Sequence, residues 1–198
     1  MYNIITNDAL VSPATAQQLI DWSKLDNDDP NIEPSLLVAT QLVISFLSLE
    51  LLPRTYTLTY QDWPITGTVG GSSLSKPNYG RKSRVDIPYA NLLSINSVTV
   101  SGEVLTTADY SVIPGKPYQI QFDTIGTGNT DEPALEIVYS AGYGVDFTLI
   151  PAPIIQAIVM CAGYIHSHSG GCDTGNALKM SGATELLTPY SVNAGLVF

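Results

Sequence analysis

The stretch Leu51 to Pro64, LLPRTYTLTYQDWP, constrains this chain more than any other, because two incompatible periodicities meet inside it. From Leu36 to Leu52, a helical wheel at about 100° per residue places Gln41, Ser45 and Ser48 on one strip roughly 60° wide. Thr40 and Glu50 are the only other polar positions there, and the rest of the circumference is apolar. Pro53 cannot continue a helix without losing a backbone hydrogen bond. After it the pattern becomes period two, with Tyr56, Leu58 and Tyr60 on one face and Thr55, Thr57 and Thr59 on the other. The segment therefore predicts a long apolar helix reaching about Leu52 and a half-buried strand starting at once.

The flanking sequence extends this split. Ser12-Pro13 reads as an N-cap with a proline in the first turn, opening a short helix to Lys24 that carries Leu19, Ile20 and Trp22. LDNDDPNIEP then suits a turn and favourable negative charge at the start of the long helix. A Gly/Ser-rich excursion from Gly67 leads into strands predicted at 84–89, 97–101, 109–113, 118–123 and 135–139, separated by Gly, Pro, Asn and Asp. At Pro151 the helical period returns in IIQAIVMCAGYIHSH, with Gln156 the one strongly polar residue before His166. Asn176 to Leu187 is weakly amphipathic, and the tail TPYSVNAGLVF is apolar and uncharged. The expected fold class is α+β: a helical bundle, built from an N-terminal helix pair and C-terminal helices, with an inserted antiparallel β-meander or sandwich. Its parts are expected at 1–53 (helical), 54–145 (inserted and β-rich) and 146–198 (helix and tail completing the body).

Charge narrows the function classes. With a net charge of −10 and only 13% charged residues, the chain lacks the clustered Lys and Arg that holding nucleic acid requires. The one basic cluster, Arg81, Lys82 and Arg84, reads first as a solvated loop tip and second as a contact for DNA or an acidic partner. The start of the chain has no basic region followed by an apolar run, so no secretory signal is expected. Leu36 to Leu52 is slightly short for a membrane span and carries Glu50, Gln41 and three hydroxyl side chains, so it reads as a buried helix. Two cysteines define no disulfide framework and fit a reduced, intracellular setting.

Catalytic and metal patterns are weak. The glycines at 67–71 are followed by no Lys-Ser or Lys-Thr, and AGYG at 141–144 lacks dinucleotide spacing; both read as turns. Cys161, His166, His168 and Cys172 could supply four zinc ligands, but the spacing matches no common zinc module and Cys161 falls mid-helix. Asp26, Asp28 and Asp29 superficially resemble a calcium loop, yet Asn31 and Leu37 stand where glycine and a carboxylate are needed. No serine motif singles out a partner for the two histidines. No catalytic, cofactor-binding or metal-binding residue is therefore expected.

Two helices with so little polar circumference are hard to bury in a chain this small, since each large apolar side chain left in water forfeits about 1.5–3 kcal/mol. Lateral contact between copies would cover them, which makes Leu36, Leu42, Val43, Phe46, Leu47 and Leu49 the candidate intersubunit residues.

The order of parts also resembles a known family, the phage head-to-tail connector proteins, also called head-completion or adaptor proteins. The matching pieces are PATAQQLIDWSKLDNDDPNIEPSLLVATQLVISFL, TYTLTYQDWP, VDIPYANLLSINSVTVSG, EIVYSAGYG, IPAPIIQAIVMCAGYIHSH and ELLTPYSV, in that order along nearly the whole chain. The chain departs from the family pattern at SLELLPRTY and HSHSGGC. The resemblance implies a non-enzymatic virion protein of the neck, made in the host bacterial cytoplasm. It further implies a ring of about twelve copies beneath the portal protein, with no membrane and no cofactor. Such a ring would extend the DNA channel, let DNA pass without specific binding along an acidic wall, and offer a docking surface to tail or tail-completion proteins. The segment carrying Thr188, Pro189, Tyr190, Val192, Leu196, Val197 and Phe198 would engage the portal. The alternative is a β-rich tail-fibre or receptor-binding accessory that uses the tyrosines of the middle region. The two nearly all-apolar helices weigh against it.

Overall fold

In a computed structural model, residues 2–26, 29–63, 83–89, 91–115, 117–122, 133–144, 147–168 and 176–191 are described. The chain divides into two compact units, one of Met1–Asn7 with Arg54–Ala141 and one of Asp8–Pro53 with Gly142–Phe198. The fold is α+β, as the periodicities predicted.

Among its described residues the first unit holds eight antiparallel strands: β1 (Tyr2–Ile5), β2 (Arg54–Tyr60), β3 (Ser83–Ile87), β4 (Leu92–Val100), β5 (Glu103–Val104), β6 (Tyr110–Ile113), β7 (Tyr118–Phe122) and β8 (Leu135–Ala141). They form a five-stranded sheet in the order β1-β2-β8-β4-β5 and a three-stranded sheet in the order β3-β7-β6. Neither is a meander, since β8 inserts between β2 and β4 and β7 between β3 and β6. The sandwich alternative is the one observed, because both sheets contribute to one core that includes Leu58, Val85, Val98, Ile120, Phe122 and Ile137.

Strand β8 shows why. Leu135, Ile137, Tyr139 and Ala141 are fully buried while the residues between them are half-buried, the alternation a central strand produces. Tyr139 pairs in register with Tyr56 of β2, their rings 5.6 Å apart, and its hydroxyl donates to the Pro88 carbonyl at 3.0 Å. The β4–β5 hairpin turns on Ser101 and Gly102, both at positive φ, as a two-residue primed turn requires.

β1 was not expected. It pairs with β2 from Tyr2↔Tyr60 to Ile5↔Thr57, so the first residues belong to the sheet unit and not to the helical part at 1–53. Four residues are too few for periodicity to reveal a strand, and pairing along the edge of β2 supplies the order.

The second unit contains α1 (Ala16–Ser23), α2 (Ile32–Leu47), α3 (Ala152–Ser167), α4 (Ala177–Met180) and α5 (Ala183–Leu187). The first helix opens later than Ser12-Pro13 suggested. Thr15 is the N-cap, its hydroxyl accepting from the Gln18 N–H while the Gln18 side chain accepts from the Thr15 N–H at 2.8 Å. This reciprocal box outweighs the proline signal. The long helix starts and stops earlier than the apolar run: it ends at Leu47, and Ser48 takes a left-handed C-cap at φ 54°. Residues 49–53 are a non-helical link that bends at Leu51 and Leu52, and the carboxylate of the buried Glu50 accepts from the Leu51 N–H at 3.1 Å. Pro53 thus ends the link and not the helix.

α3 packs against α1, α2, α4 and α5, which is why its apolar circumference is spent inside the unit, with Ile154, Ala157, Ile158, Cys161, Ala162 and Ile165 buried. Gly163 lets α1 approach, since a Cβ there would lie 2.7 Å from Ser23 Oγ. Among the described residues, no helix is long and apolar enough to cross a membrane.

Candidate assembly surface

The predicted site residues fall into very different environments. Of the six proposed intersubunit positions, Leu36, Val43, Leu47 and Leu49 are buried within the helical unit, and Leu49 lies beyond the end of α2. Leu42 and Phe46 are half-buried. The wheel could not separate apolar surface that meets α3 from surface that meets solvent. The apolar side chains α2 leaves exposed are Leu37 and Val38, on the strip that also carries Gln41 and Ser45.

Arg84 belongs to β3 and not to a loop: its Nε donates to Gln121 Oε1 on β7 at 3.1 Å. Arg81 and Lys82 lie outside the described residues. Of the C-terminal segment, Thr188, Pro189 and Tyr190 form a short 3-10 turn after α5, whereas Val192, Leu196, Val197 and Phe198 lie outside the described residues. Burial, with a smaller contribution from Tyr190, raises the Tyr143 hydroxyl above its ordinary pKa. In the sheet unit, burial pushes Tyr60 up to about 12, helped by Tyr2, whose ring lies 5.5 Å away, and by Asp86.

The described members of the Cys/His run do not converge. Cys161 is buried in α3, His166 Nε2 lies 2.9 Å from Asp29 Oδ2, and His168 stacks on Tyr164 while its Nδ1 donates to the Tyr164 carbonyl at 2.9 Å. Cys172 lies outside the described residues, among which no three candidate ligands gather for a metal. Asp29 instead closes a turn just ahead of α2, its Oδ1 accepting the Asn31 N–H at 2.9 Å. That bond is the main reason its carboxyl sits below the usual value, with partial desolvation opposing it and His166 reinforcing it. Asp28 lies outside the described residues.

Among its described residues, the helical unit carries hollows that include the following pair. One, of about 470 Å³, lies between α1 and α3 and is lined by Asp21, Trp22, Ala152, Ile155, Gln156 and Val159. Trp22 is 55% exposed there, and Gln156 Nε2 is buried with no acceptor among the described residues. The other, of about 450 Å³, lies between the segment before α1 and the start of α2, with Val11, Ala14, Glu33, Leu36 and Leu37 in its wall. Neither was assigned from the sequence. The available signal was Gln156, a lone polar residue in an otherwise apolar helix, and Trp22, a large aromatic on a short one.

No family model matches the sequence, and no curated protein sequence matches it. Solved structures do share its fold. A chain in the neck of an empty gene transfer agent (GTA) particle with C6 symmetry aligns over 96% of this chain and 95% of its own, with a TM-score of 0.67 at 15% identity. A chain in the neck of the native GTA particle with C12 symmetry aligns over 96% and 94%, with a TM-score of 0.62 at 15% identity. One in the virion of the native particle aligns over 95% and 94%, with a TM-score of 0.60 at 14% identity. The likeness covers both units and establishes a common fold.

Proposed function

We propose that this chain is a head-to-tail adaptor of a phage-like particle, a structural protein and not an enzyme. Copies form a rotational ring of about twelve at the virion neck, beneath the portal protein, after synthesis in the host cytoplasm. The ring extends the DNA channel and gives tail components a docking surface. The observation that carries this reading is the shared fold, over 96% of the chain, with chains in particle necks of C6 and C12 symmetry. The order of sequence pieces supports it independently.

In this reading the helical unit forms the ring body and the segment from Thr188 to Phe198 engages the portal. The net charge of −10 suits a channel through which DNA slides without sticking. Native mass spectrometry and electron microscopy of the protein alone and with its portal test the proposal. A ring, either alone or on the portal, is expected; a chain that neither closes into rings nor binds portal refutes it.

A further inference from the structure

An outer strand leaves backbone N–H and C=O groups unpaired along one side, and proteins blunt such edges with charge, proline or a bulge. The edges of the sheet unit differ in how far they are blunted. β3 carries the exposed Arg84 and Asp86. β5 ends after two residues, one of them Glu103, and the part of β4 it leaves bare is broken by register shifts between Leu92 and Ser94 and between Ile95 and Ser97. β1 has none of these devices: YNII is uncharged, free of proline, and in unbroken register with β2 over four pairs. Tyr2 is 53% and Ile5 51% exposed on it. β6, YSVI, is also uncharged; Asp109 and Pro114 bound it, so its open stretch is the same four residues long, and Val112 on it is 41% exposed. Among the described residues, β1 pairs with β2 alone and β6 with β7 alone.

An open backbone edge is satisfied by another extended backbone, so the occupant it calls for is a strand. We propose that β1 of one copy pairs with β6 of the next, joining the five-stranded sheet of the first to the three-stranded sheet of the second. The inference rests on the ring reading above. Length and charge select the pairing, because β1 and β6 match over four uncharged residues whereas β3 or β5 would set charged side chains on the seam. Position selects it too. Asp86 of β3 is near enough to Tyr60, the partner of Tyr2, to raise its hydroxyl, which places β3 on the β1 side of the sandwich. β6 lies beyond β7 from β3 and follows β5 after five residues, which places it at the opposite margin. A β1–β1 contact would be isologous and close into a pair, whereas strands at opposite margins repeat head to tail, as a ring needs. The seam also gives the exposed Tyr2, Ile5 and Val112 cross-strand neighbours.

Amide hydrogen exchange of the full chain, dilute and assembled (alone or with portal, whichever gives rings), reads the seam directly. Exchange in the assembled ring is expected to slow at least about tenfold in both 2–5 and 110–113, and to stay unchanged in 83–87 and 103–104. Ile5→Lys places a charge on β1 only, at an exposed position. It should abolish the assembly-linked protection of β6, a strand it does not alter, even where the helical bodies still hold the ring together. An effect confined to the variant's own β1, as a local structural role would produce, overturns the contact. So does protection in assembled wild type at one of the two strands or at neither. Those results leave the ring reading standing, and wild-type protein that forms no ring either alone or with portal overturns both.

Discussion

Replacing Gly142 with alanine probes the place where the chain re-enters the helical unit. Gly142 has φ +149°, and a Cβ built there would lie 2.6 Å from the Leu52 carbonyl carbon and 2.7 Å from both Leu52 O and Pro53 N. These distances are well inside the ~3.5 Å at which carbon atoms meet comfortably. The opposing atoms are backbone and cannot rotate aside, so the outgoing and returning segments must separate. Backbone strain of this kind costs about 1–3 kcal/mol. The adjacent bond from the Tyr143 N–H to the Leu51 carbonyl, 3.2 Å long, is the first to go, and losing it adds about 0.5–1.5 kcal/mol. The sum, roughly 2–4 kcal/mol, corresponds to a fall in melting temperature of roughly 5–15 °C at this chain length.

Gly144→Ala is the comparison. It has φ +131°, but its Cβ would meet only the tip of the exposed Leu149 side chain, at 2.5 Å. That tip can swing away, so the cost is confined to the backbone term of about 1–3 kcal/mol. Thermal unfolding followed by circular dichroism ranks the variants, and Gly142→Ala should be the lower-melting of the two. A Gly142→Ala protein melting within about 2 °C of wild type, or above Gly144→Ala, would refute the close-approach argument.

Two further outcomes follow from the packing and the charges. Tyr139→Phe removes the hydroxyl that donates to the Pro88 carbonyl at 3.0 Å and should destabilise the sheet unit by about 1–3 kcal/mol. Faster amide hydrogen exchange in β2 and β8 would report the loss, and unchanged exchange would show the bond to be idle. Asp29 has its carboxyl held below the ordinary 3.8, chiefly by the Asn31 N–H. A depressed carboxylate adds stability that is present above its unfolded pKa and disappears as pH falls through the folded one. Wild type should therefore exceed Asp29→Asn in urea resistance at neutral pH, with the gap narrowing below pH 3.8. A gap that stays constant through that range contradicts the assignment.

Much of the architecture was legible in the chain. Five strands were anticipated near 84–89, 97–101, 109–113, 118–123 and 135–139, and they appear as β3, β4, β6, β7 and β8, β4 starting earlier at Leu92. The second long helix, α3, lies where Pro151 and the apolar run placed it. The misses share a cause. Thr15 outcompeted Ser12 as the N-cap through a side-chain hydrogen bond, and Ser48 ended α2 before Pro53 through a left-handed turn. Both are decided by local geometry that residue type only biases. Of the candidate site residues, the helix face was misjudged most, with Leu36, Val43 and Leu47 spent on the core.

The sequence by itself determined that LLPRTYTLTYQDWP separates helix from strand, because a change of period and a proline act within a few residues and need no partner. It also determined the acidic, charge-poor surface. Only the tertiary structure decided that a bent, non-helical link runs from Leu49 to Pro53, that Gly142 closes against it, and that β1 joins β2 from the far end of the unit's sequence. Packing likewise decided which apolar side chains stay outside. Periodicity records how much apolar surface a helix carries, whereas the neighbours that α3 gathers around itself determine how much is left uncovered, here Trp22, Leu37 and Val38.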